Sequence, residues 1–242
     1  MKKHAVHLLY EQRLARSTKP FKARGGAVRR CAFCRIDAEF CICAFKPELS
    51  SNAGFLLLYY DDEVLKPSNS GRLIADLIPD TFAFIWQRTS VEQALLEVLA
   101  DPQWQPMVIF PEEYAAEGRS VFRKSIVIEQ GKRPLFILLD GSWREAKKMF
   151  RNSEYLDKFP VLAFNPEQKS RYLVRTASYE HHLATAEVAA AALTLLGEVR
   201  NGEFLDTWFD VFSYRYQQGV MRKNQGDASS LDRLELLLAK VN

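Results

Sequence analysis

The chain has 242 residues, of which 48% are hydrophobic and 26% charged, with 11 Gly and 10 Pro. This composition excludes the disordered and fibrous classes and is typical of one or two globular domains. No stretch approaches the ~18 uninterrupted apolar residues of a membrane span, so we expect no membrane partner. The N-terminus lacks the apolar block of a secretion signal, and we therefore expect a cytoplasmic protein.

The net charge of +3 hides an asymmetry along the chain. Residues 1–35 carry ten Lys or Arg and one acid, which gives +9, whereas residues 36–242 sum to −6. A basic arm on an acidic body favours a polyanionic partner, because Lys and Arg that neutralise phosphates release counterions. A solvated helix face or an assembly contact is the alternative explanation of the arm.

The hydrophobic pattern predicts an α/β fold. Residues 5–16 have the spacing of a helix, and from residue 54 onward short apolar runs alternate with helical segments. Such runs are typical of a mainly parallel sheet with helices on both faces. The predicted strands cover 54–60, 81–87, 107–110, 135–140 and 161–164. The predicted helices after residue 54 cover 70–78, 90–100, 143–152, 185–199, 203–221 and 230–240. Residues 121–131 fit either an extra strand or a loop.

The polar stretch 46–52 separates two parts of different character. We expect residues 1–48 to form a basic helix and a small cysteine-containing segment. Residues 49–242 are expected to form the α/β domain, with a helical C-terminal part.

All four cysteines lie within thirteen residues and have the spacing C-x2-C-x6-C-x-C: Cys31, Cys34, Cys41 and Cys43. In a reducing compartment, clustered thiolates usually bind a metal. The spacing predicts a closed, structural zinc site, and an iron–sulfur cluster is the alternative. Three flanking arginines are expected to lower the pKa of the thiols: Arg29, Arg30 and Arg35.

A polar motif follows the most apolar predicted strand, as Asp140-Gly141-Ser142-Trp143 directly before a basic helix. Ligand sites of open α/β sheets lie at the carboxyl ends of strands. An acid beside a glycine, a hydroxyl and an indole is therefore a candidate site. In the alternative, Asp140 or Ser142 only caps the helix.

Several segments occur in the order that is typical of one family: RRC before the cysteine cluster, KPSNSGRLIADLIPDT, VIFPEEYA, LLDGSWREAKKMF, SRYLVR and TAEVA. On these segments the chain resembles the DTW-domain family. The family motif D-x-[TS]-W is DGSW here, whereas the literal triplet at 206–208 falls in a predicted helix and is interpreted as a coincidence. Ser142 replaces the usual Thr of the motif, and Ala184 replaces a common Ser.

The resemblance implies a SPOUT-like, knotted α/β domain that uses S-adenosylmethionine as donor. It implies transfer of the 3-amino-3-carboxypropyl group to N3 of a uridine in the tRNA variable loop, with release of 5′-methylthioadenosine. The partner of the basic arm is then tRNA, and we expect a monomer. The alternatives are a SPOUT-like RNA methyltransferase and a non-catalytic zinc-containing RNA-binding protein.

Residue roles follow from the resemblance and the strand-end position together. We predict that Asp140 takes the N3 proton or stabilises the sulfonium. Trp143 is expected to stack on a base or to pack under the helix. Arg72 or Arg175 is expected to hold the donor carboxylate or a tRNA phosphate, unless each forms only a surface ion pair. Glu187 is expected to hold the donor amino group or to favour its own helix N-terminus.

The complete candidate sets are as follows. The predicted catalytic residues are Asp140, Ser142 and Trp143. The predicted donor-binding residues are Asn69, Gly71, Arg72, Pro111, Asp140, Gly141, Thr185 and Glu187. The predicted RNA-contacting residues are Lys22, Arg24, Arg29, Arg30, Arg35, Arg171 and Arg175.

Overall fold

The computed structural model describes residues 2–21, 23, 25–26, 28–163, 183–221 and 223–240. Within these residues one sheet contains six parallel strands in the order β2-β1-β5-β3-β6-β4. The strands are β1 (Gly54–Tyr59), β2 (Thr81–Ile85), β3 (Trp104–Ile109), β4 (Val121–Phe122), β5 (Arg133–Asp140) and β6 (Val161–Leu162). The helices are α1 (Ala5–Ala15), α2 (Arg72–Leu77), α3 (Gln93–Ala100), α4 (Trp143–Arg151), α5 (Thr185–Leu195), α6 (Val199–Val220) and α7 (Ser230–Ala239). The predicted α/β class with a parallel sheet is confirmed.

The sheet separates two apolar cores, which explains why its central strands are apolar on both faces. In β1, Phe55 and Leu57 pack into one core, and Leu56 and Leu58 pack into the other. Helices α2, α5 and α6 cover the first face, while α3 and α4 cover the second. Helices therefore lie on both faces of the sheet, as predicted.

The N-terminal segment packs on the first core. Val6 and Leu9 of α1 are buried there, together with Cys34, Ile36 and Ile42 from the cysteine-containing segment. Residues 1–48 therefore contact the α/β body through apolar side chains. The domain boundary at residue 48 stays a prediction.

Some element ends differ from the prediction. The helix predicted over 185–199 ends at Leu195, because Gly197 has a φ of 95°, a conformation that favours glycine, and turns the chain toward α6. Helix α6 accordingly begins at Val199 rather than near residue 203. Of the undecided segment 121–131, only Val121–Phe122 forms a strand.

The predicted knot stays a prediction, because residues 164–182, between β6 and α5, lie outside the described residues. In the part of the chain that the structure describes, every helix is too short or too polar to cross a membrane.

Candidate functional site

The candidate site lies at the carboxyl edge of the sheet, where β1 and β5 end side by side. Tyr59 and Asp140 are the last residues of these strands and are partners in the parallel register. Asp140 is only 3% exposed, although it carries a carboxyl group. A buried carboxyl at this edge is where an α/β sheet places functional groups.

The amide of Asn69 holds Asp140. The Nδ2 atom of Asn69 lies 3.1 Å from both carboxylate oxygens of Asp140. The Oδ1 atom of Asn69 accepts hydrogen bonds from the backbone NH of Arg72 at 3.1 Å and from the Tyr59 hydroxyl at 3.4 Å. Because Oδ1 faces two donors and Nδ2 faces carboxylates, the hydrogen bonds define which way the amide points.

Gly71 allows the start of α2 to approach Asp140. A Cβ atom built at Gly71 would overlap the Oδ2 atom of Asp140 and would lie 2.8 Å from the Tyr59 hydroxyl. The φ of Gly71 is −58°, which any residue adopts, so the requirement for glycine is one of space alone. The structure therefore brings Asn69 and Gly71 against the strand-end Asp140. Their predicted role in donor binding stays a prediction.

The sequence interpretation missed two residues of this site, Tyr59 and Glu63. Glu63 is 1% exposed, and its oxygens accept from Asn69 Nδ2 at 3.3 Å and from Lys66 Nζ at 2.5 Å. Burial, together with the nearby Asp140 and Glu63, raises the pKa of Tyr59 well above 10, so its phenol stays protonated and donates. The sequence could have indicated Tyr59, because its hydroxyl lies near the end of a predicted strand. It contained no comparable indication that Glu63 is part of the site.

Arg72 is buried beside the site, and only one of its two terminal guanidinium nitrogens has a hydrogen-bond partner among the described residues. Its Nη1 atom donates to Asp76 Oδ2 at 3.0 Å, while Nη2 is buried without a hydrogen-bond partner among the described residues. Burial alone would raise the pKa of Asp76, but the charge of Arg72 and hydrogen bonds from His4 and Trp208 lower it to about 2. Asp76 therefore holds Arg72 as a stable ion pair, and the second nitrogen can bind an anion.

Trp208 belongs to the literal triplet at 206–208, which lies in α6 as predicted. Its indole Nε1 donates to Asp76 Oδ2 at 3.2 Å. Trp208 thus supports Arg72 through Asp76, and the triplet is not a strand-end motif.

Ser142 caps α4. Its Oγ accepts from the Glu145 backbone NH at 3.4 Å, and the Glu145 carboxylate accepts from the Ser142 NH at 2.7 Å. This is a capping box, so Ser142 caps the helix. Its predicted catalytic role stays a prediction. The Asp140 side chain instead binds Asn69. Gly141 packs closely against Tyr60, since an added Cβ would lie 3.2 Å from the Tyr60 Cβ.

Trp143 lies partly exposed at the start of α4. Its ring stacks on Phe110, with centroids 5.3 Å apart and planes 14° apart, and it meets Tyr114 edge to face at 5.7 Å. Pro111 follows β3 at the same edge and begins the turn that carries Tyr114. Trp143 is therefore packed against neighbouring rings, and stacking on a base stays a prediction.

Thr185 and Glu187 lie in the first turn of α5, which packs against α2 and β5. The carboxylate of Glu187 accepts the backbone NH of Ala184 at 2.7 Å and so caps this helix. A contact between Glu187 and the donor amino group stays a prediction.

A small cleft opens beside Arg72, between α1 and the segment that leads into α2. Its polar lining is His7, Tyr10, Arg35, Lys66, Asn69 and Arg72. Three of these side chains are cations and one, Lys66, is paired with Glu63. Arg72 is likewise paired with Asp76, and the cleft has room for only about one water molecule.

The four cysteines come together as predicted. The Sγ atoms of Cys31 and Cys43 lie 3.7 Å apart, those of Cys34 and Cys41 lie 3.6 Å apart, and all four lie within 4.8 Å of one another. Four sulfurs at the ~2.3 Å bond length of tetrahedral zinc are about 3.8 Å apart, so the separations fit one ion. The four cysteines can bind a metal such as zinc.

The thiol electrostatics agree with a cation at this centre. A hydrogen bond with Cys43 lowers the pKa of Cys34 to about 5, and the same interaction raises the pKa of Cys43. The negative charge of a first thiolate thus disfavours deprotonation of a second thiol. Four thiolates at one centre therefore require a compensating cation. Arg72 is the cation that contributes to the lowered pKa of Cys34, whereas the flanking arginines were expected to do so.

The candidate RNA-contacting residues are only partly described. Lys22, Arg24, Arg171 and Arg175 lie outside the described residues. Arg29 is exposed, whereas Arg30 donates to the backbone oxygen of Arg35 at 2.9 Å and lies over the Tyr216 ring. Arg35 has a φ of 61°, lies 3.7 Å over the Tyr10 ring and donates to the Leu65 oxygen at 3.2 Å. Arg30 and Arg35 therefore stabilise the cysteine-containing segment.

Together these features define an α/β protein with a buried carboxylate at the carboxyl edge of a parallel sheet and a separate four-cysteine centre. The chain matches the family model of the DTW domain over residues 28–217, and it belongs to that family. The DTW domain is associated with tRNA modification, so this is a member of a tRNA-modifying family. No solved structure matches the chain.

Proposed function

We propose that the chain is a tRNA-uridine aminocarboxypropyltransferase that uses S-adenosylmethionine as donor. The observation that carries the proposal is the buried carboxylate of Asp140, oriented by Asn69 at the end of β5 within a DTW domain. The partner is tRNA, and the four-cysteine centre holds structural zinc.

The donor supplies an aminocarboxypropyl chain whose γ-carbon is activated by the sulfonium charge. Transfer forms a bond between uridine N3 and this carbon and breaks the carbon–sulfur bond, whose electron pair stays on the sulfur of 5′-methylthioadenosine. The proton of N3 must leave as the new bond forms. A carboxylate within hydrogen-bond reach of N3 can accept this proton, and this role belongs to Asp140.

Asp140 is suited to this role by its surroundings. Its partner Asn69 donates through one amide nitrogen, which orients the carboxylate without neutralising its charge. Gly71 and Tyr59 pack against it, and burial strengthens its interaction with a positive sulfonium. The same group thus favours the donor electrostatically and accepts the proton of the nucleophile.

Arg72 suits the carboxylate of the donor. Its buried Nη2 has no partner among the described residues, and an unpaired buried donor costs free energy until an acceptor binds. Asp76 fixes the guanidinium from the other side, so a donor carboxylate would meet a preorganised cation. Holding the donor by its carboxylate positions the γ-carbon rather than the methyl group toward uridine.

The direct test is nucleoside mass spectrometry of unmodified tRNA incubated with the purified protein and S-adenosylmethionine. We expect aminocarboxypropyluridine, with an equal amount of 5′-methylthioadenosine. A methylated uridine would agree with S-adenosylmethionine as donor but would show that the methyl group is transferred instead of the aminocarboxypropyl group. Bound but unmodified tRNA would favour a binding protein.

A further inference from the structure

Helix α4 presents a row of cations on the face opposite to its packed side. Ala146, Met149 and Phe150 are buried in the second core. The solvent-facing row occupies positions i, i+3, i+4 and i+7 of the helix: Arg144, Lys147, Lys148 and Arg151. We call this row the α4 basic stripe. From its first to its last position the stripe extends over roughly 10 Å along the helix axis.

The α4 basic stripe keeps its charge available. Within the described part of the chain, none of its four side chains forms an ion pair. In the basic arm, Lys3 is paired with Glu11 and Arg13 with Asp61, whereas the other described cations of its first 29 residues form no ion pair among the described residues: Lys2, Arg16, Lys19 and Arg29. What distinguishes the α4 basic stripe is its position, because α4 begins three residues after Asp140.

Aromatic rings flank the stripe on two sides. The Nζ atom of Lys147 lies 5.7 Å from the ring centre of Trp143 and 5.9 Å from that of Tyr114. On the other side Lys148 lies 5.6 Å from the ring centre of Tyr60 and donates to its hydroxyl at 3.3 Å. Tyr60 in turn stacks on Trp86, with centroids 5.9 Å apart.

The stripe begins at the edge of the sheet that carries Asp140. Helix α4 starts three residues after Asp140, and the flanking rings follow the ends of other strands: Tyr60 after β1, Trp86 after β2 and Tyr114 after β3. A polymer bound along α4 therefore leads directly to the buried carboxylate.

We propose that the α4 basic stripe and its flanking rings hold the segment of tRNA next to the reacting uridine. This rests on the proposed function. The cations neutralise phosphates, and the partly exposed rings of Tyr60, Tyr114 and Trp143 stack on bases in an unpaired segment. Trp86 is only 7% exposed and supports the Tyr60 ring from below. The first contact of the tRNA at the site is then α4, while the basic arm holds the cysteine-containing segment in place.

The chemistry of the surface favours nucleic acid over other anionic partners. An anionic membrane binds helices that insert a free apolar face, but the apolar face of α4 is buried in the core. The large exposed hydrophobic side chains of the described residues lie elsewhere: Leu8, Leu14, Val91, Val127, Val199 and Leu236. Cations interleaved with aromatic rings match the phosphates and bases of a single strand.

The test compares two double variants of equal charge. Arg144→Gln/Lys148→Gln removes two cations of the stripe, and both side chains are exposed. Lys132→Gln/Arg200→Gln is the control, since these residues lie toward the amino edge of the sheet, where Lys132 precedes β5 and Asn201 contacts Ser50. Affinity for labelled, unmodified tRNA is measured without donor by fluorescence anisotropy over a salt series, with thermal midpoints to verify folding.

We expect the stripe variant to bind tRNA at least about tenfold more weakly than the control, with a log–log salt slope smaller by about 1.4–1.8, the value for two phosphate contacts. Equal affinities of the two variants would overturn the proposal. The proposed function is tested separately, by product formation in the wild type. If the wild type forms aminocarboxypropyluridine, the proposed function holds even when the two variants bind tRNA equally; if it forms no product, the proposed function is wrong. Stripe-dependent binding of polyglutamate or phosphatidylserine vesicles, with tRNA binding unaffected, would also overturn it.

Discussion

The side-chain nitrogen of Asn69 lies 3.1 Å from each carboxylate oxygen of Asp140. One amide group thus orients both oxygens, yet each oxygen retains acceptor capacity, because a carboxylate offers about four lone-pair sites. Arg72, which follows Asn69 on the same segment, is ion-paired with Asp76 at 3.0 Å. The site therefore presents a buried, oriented acceptor to a reacting proton.

Replacing Asn69 should remove the hydrogen bonds that link the Asp140 carboxylate to the start of α2. Asn69→Ala removes the donor and leaves a buried carboxylate with one partner fewer, which costs about 1–3 kcal/mol of folding stability. Asn69→Asp should cost more, because it places a third carboxylate against Asp140 and Glu63. Urea unfolding at pH 7 measures both variants, and a variant Asn69→Asp as stable as Asn69→Ala would contradict the arrangement.

The space at Gly71 gives a second prediction. Gly71→Ala should abolish most of the transfer activity, since the new methyl overlaps Asp140 Oδ2 and must push the carboxylate aside. Gly26→Ala is the matched control, because a Cβ there meets its nearest atom at 3.7 Å. Rates of product formation measure both variants. Wild-type activity in Gly71→Ala would contradict this prediction, because it would show that the position of the Asp140 carboxylate does not depend on the space at Gly71.

Metal removal should loosen the N-terminal segment. Without the ion, the cysteines no longer hold Ile36 and Ile42 against the first core, where both are fully buried. Each kcal/mol of stability lost lowers the Tm by about 2–4 °C in a chain of this size. Elemental analysis should find one zinc per chain, and chelation should lower the Tm until zinc is restored. Iron in place of zinc would contradict the assignment.

The stability should also depend on the protonation of His7. Burial, followed by the nearby His4, lowers the pKa of His7 from 6.5 to about 4. Between pH 6.5 and 4, His7 is therefore protonated in the unfolded chain but neutral in the folded chain. The free energy of unfolding consequently falls as the pH drops from 6.5 toward 4. Asp76, with a pKa of about 2, stays ionised throughout this range.

The variant His7→Gln should lose less stability between pH 7 and pH 5 than the wild type, by up to about 2 kcal/mol. Glutamine retains a donor for the Phe33 carbonyl, which His7 contacts at 3.1 Å. Denaturant unfolding at the two pH values provides the comparison. Equal losses in the two proteins would show that His7 does not titrate in this way.

The sequence predicted the parts of the molecule that depend on local pattern. Alternation of apolar runs predicted the parallel sheet, and the cysteine spacing predicted the four-sulfur cluster, because both patterns are short in range. The strand-end position of Asp140 also followed from the chain order of β5 and α4.

The contacts that join distant segments could not be predicted in this way. Glu63 is a polar loop residue in sequence, and only the approach of Asn69 and Lys66 makes it a buried part of the site. Arg13 and Arg35 count as free charge in composition, yet Asp61 and the Tyr10 ring engage them. Net charge therefore overestimated the basic arm, because it does not show which cations are engaged by neighbouring side chains.

The rate of the chemical step in Asp140→Asn tests the central claim most directly. Single-turnover formation of aminocarboxypropyluridine is measured at saturating donor and tRNA, beside the donor dissociation constant of the same variant. Asparagine keeps the size of the side chain but cannot take the N3 proton, so we expect a rate lower by about 10²–10⁴-fold even at saturating donor, beside a weaker donor affinity because the negative charge is lost. Wild-type rate and wild-type donor binding in Asp140→Asn would contradict the assignment of Asp140 as the base.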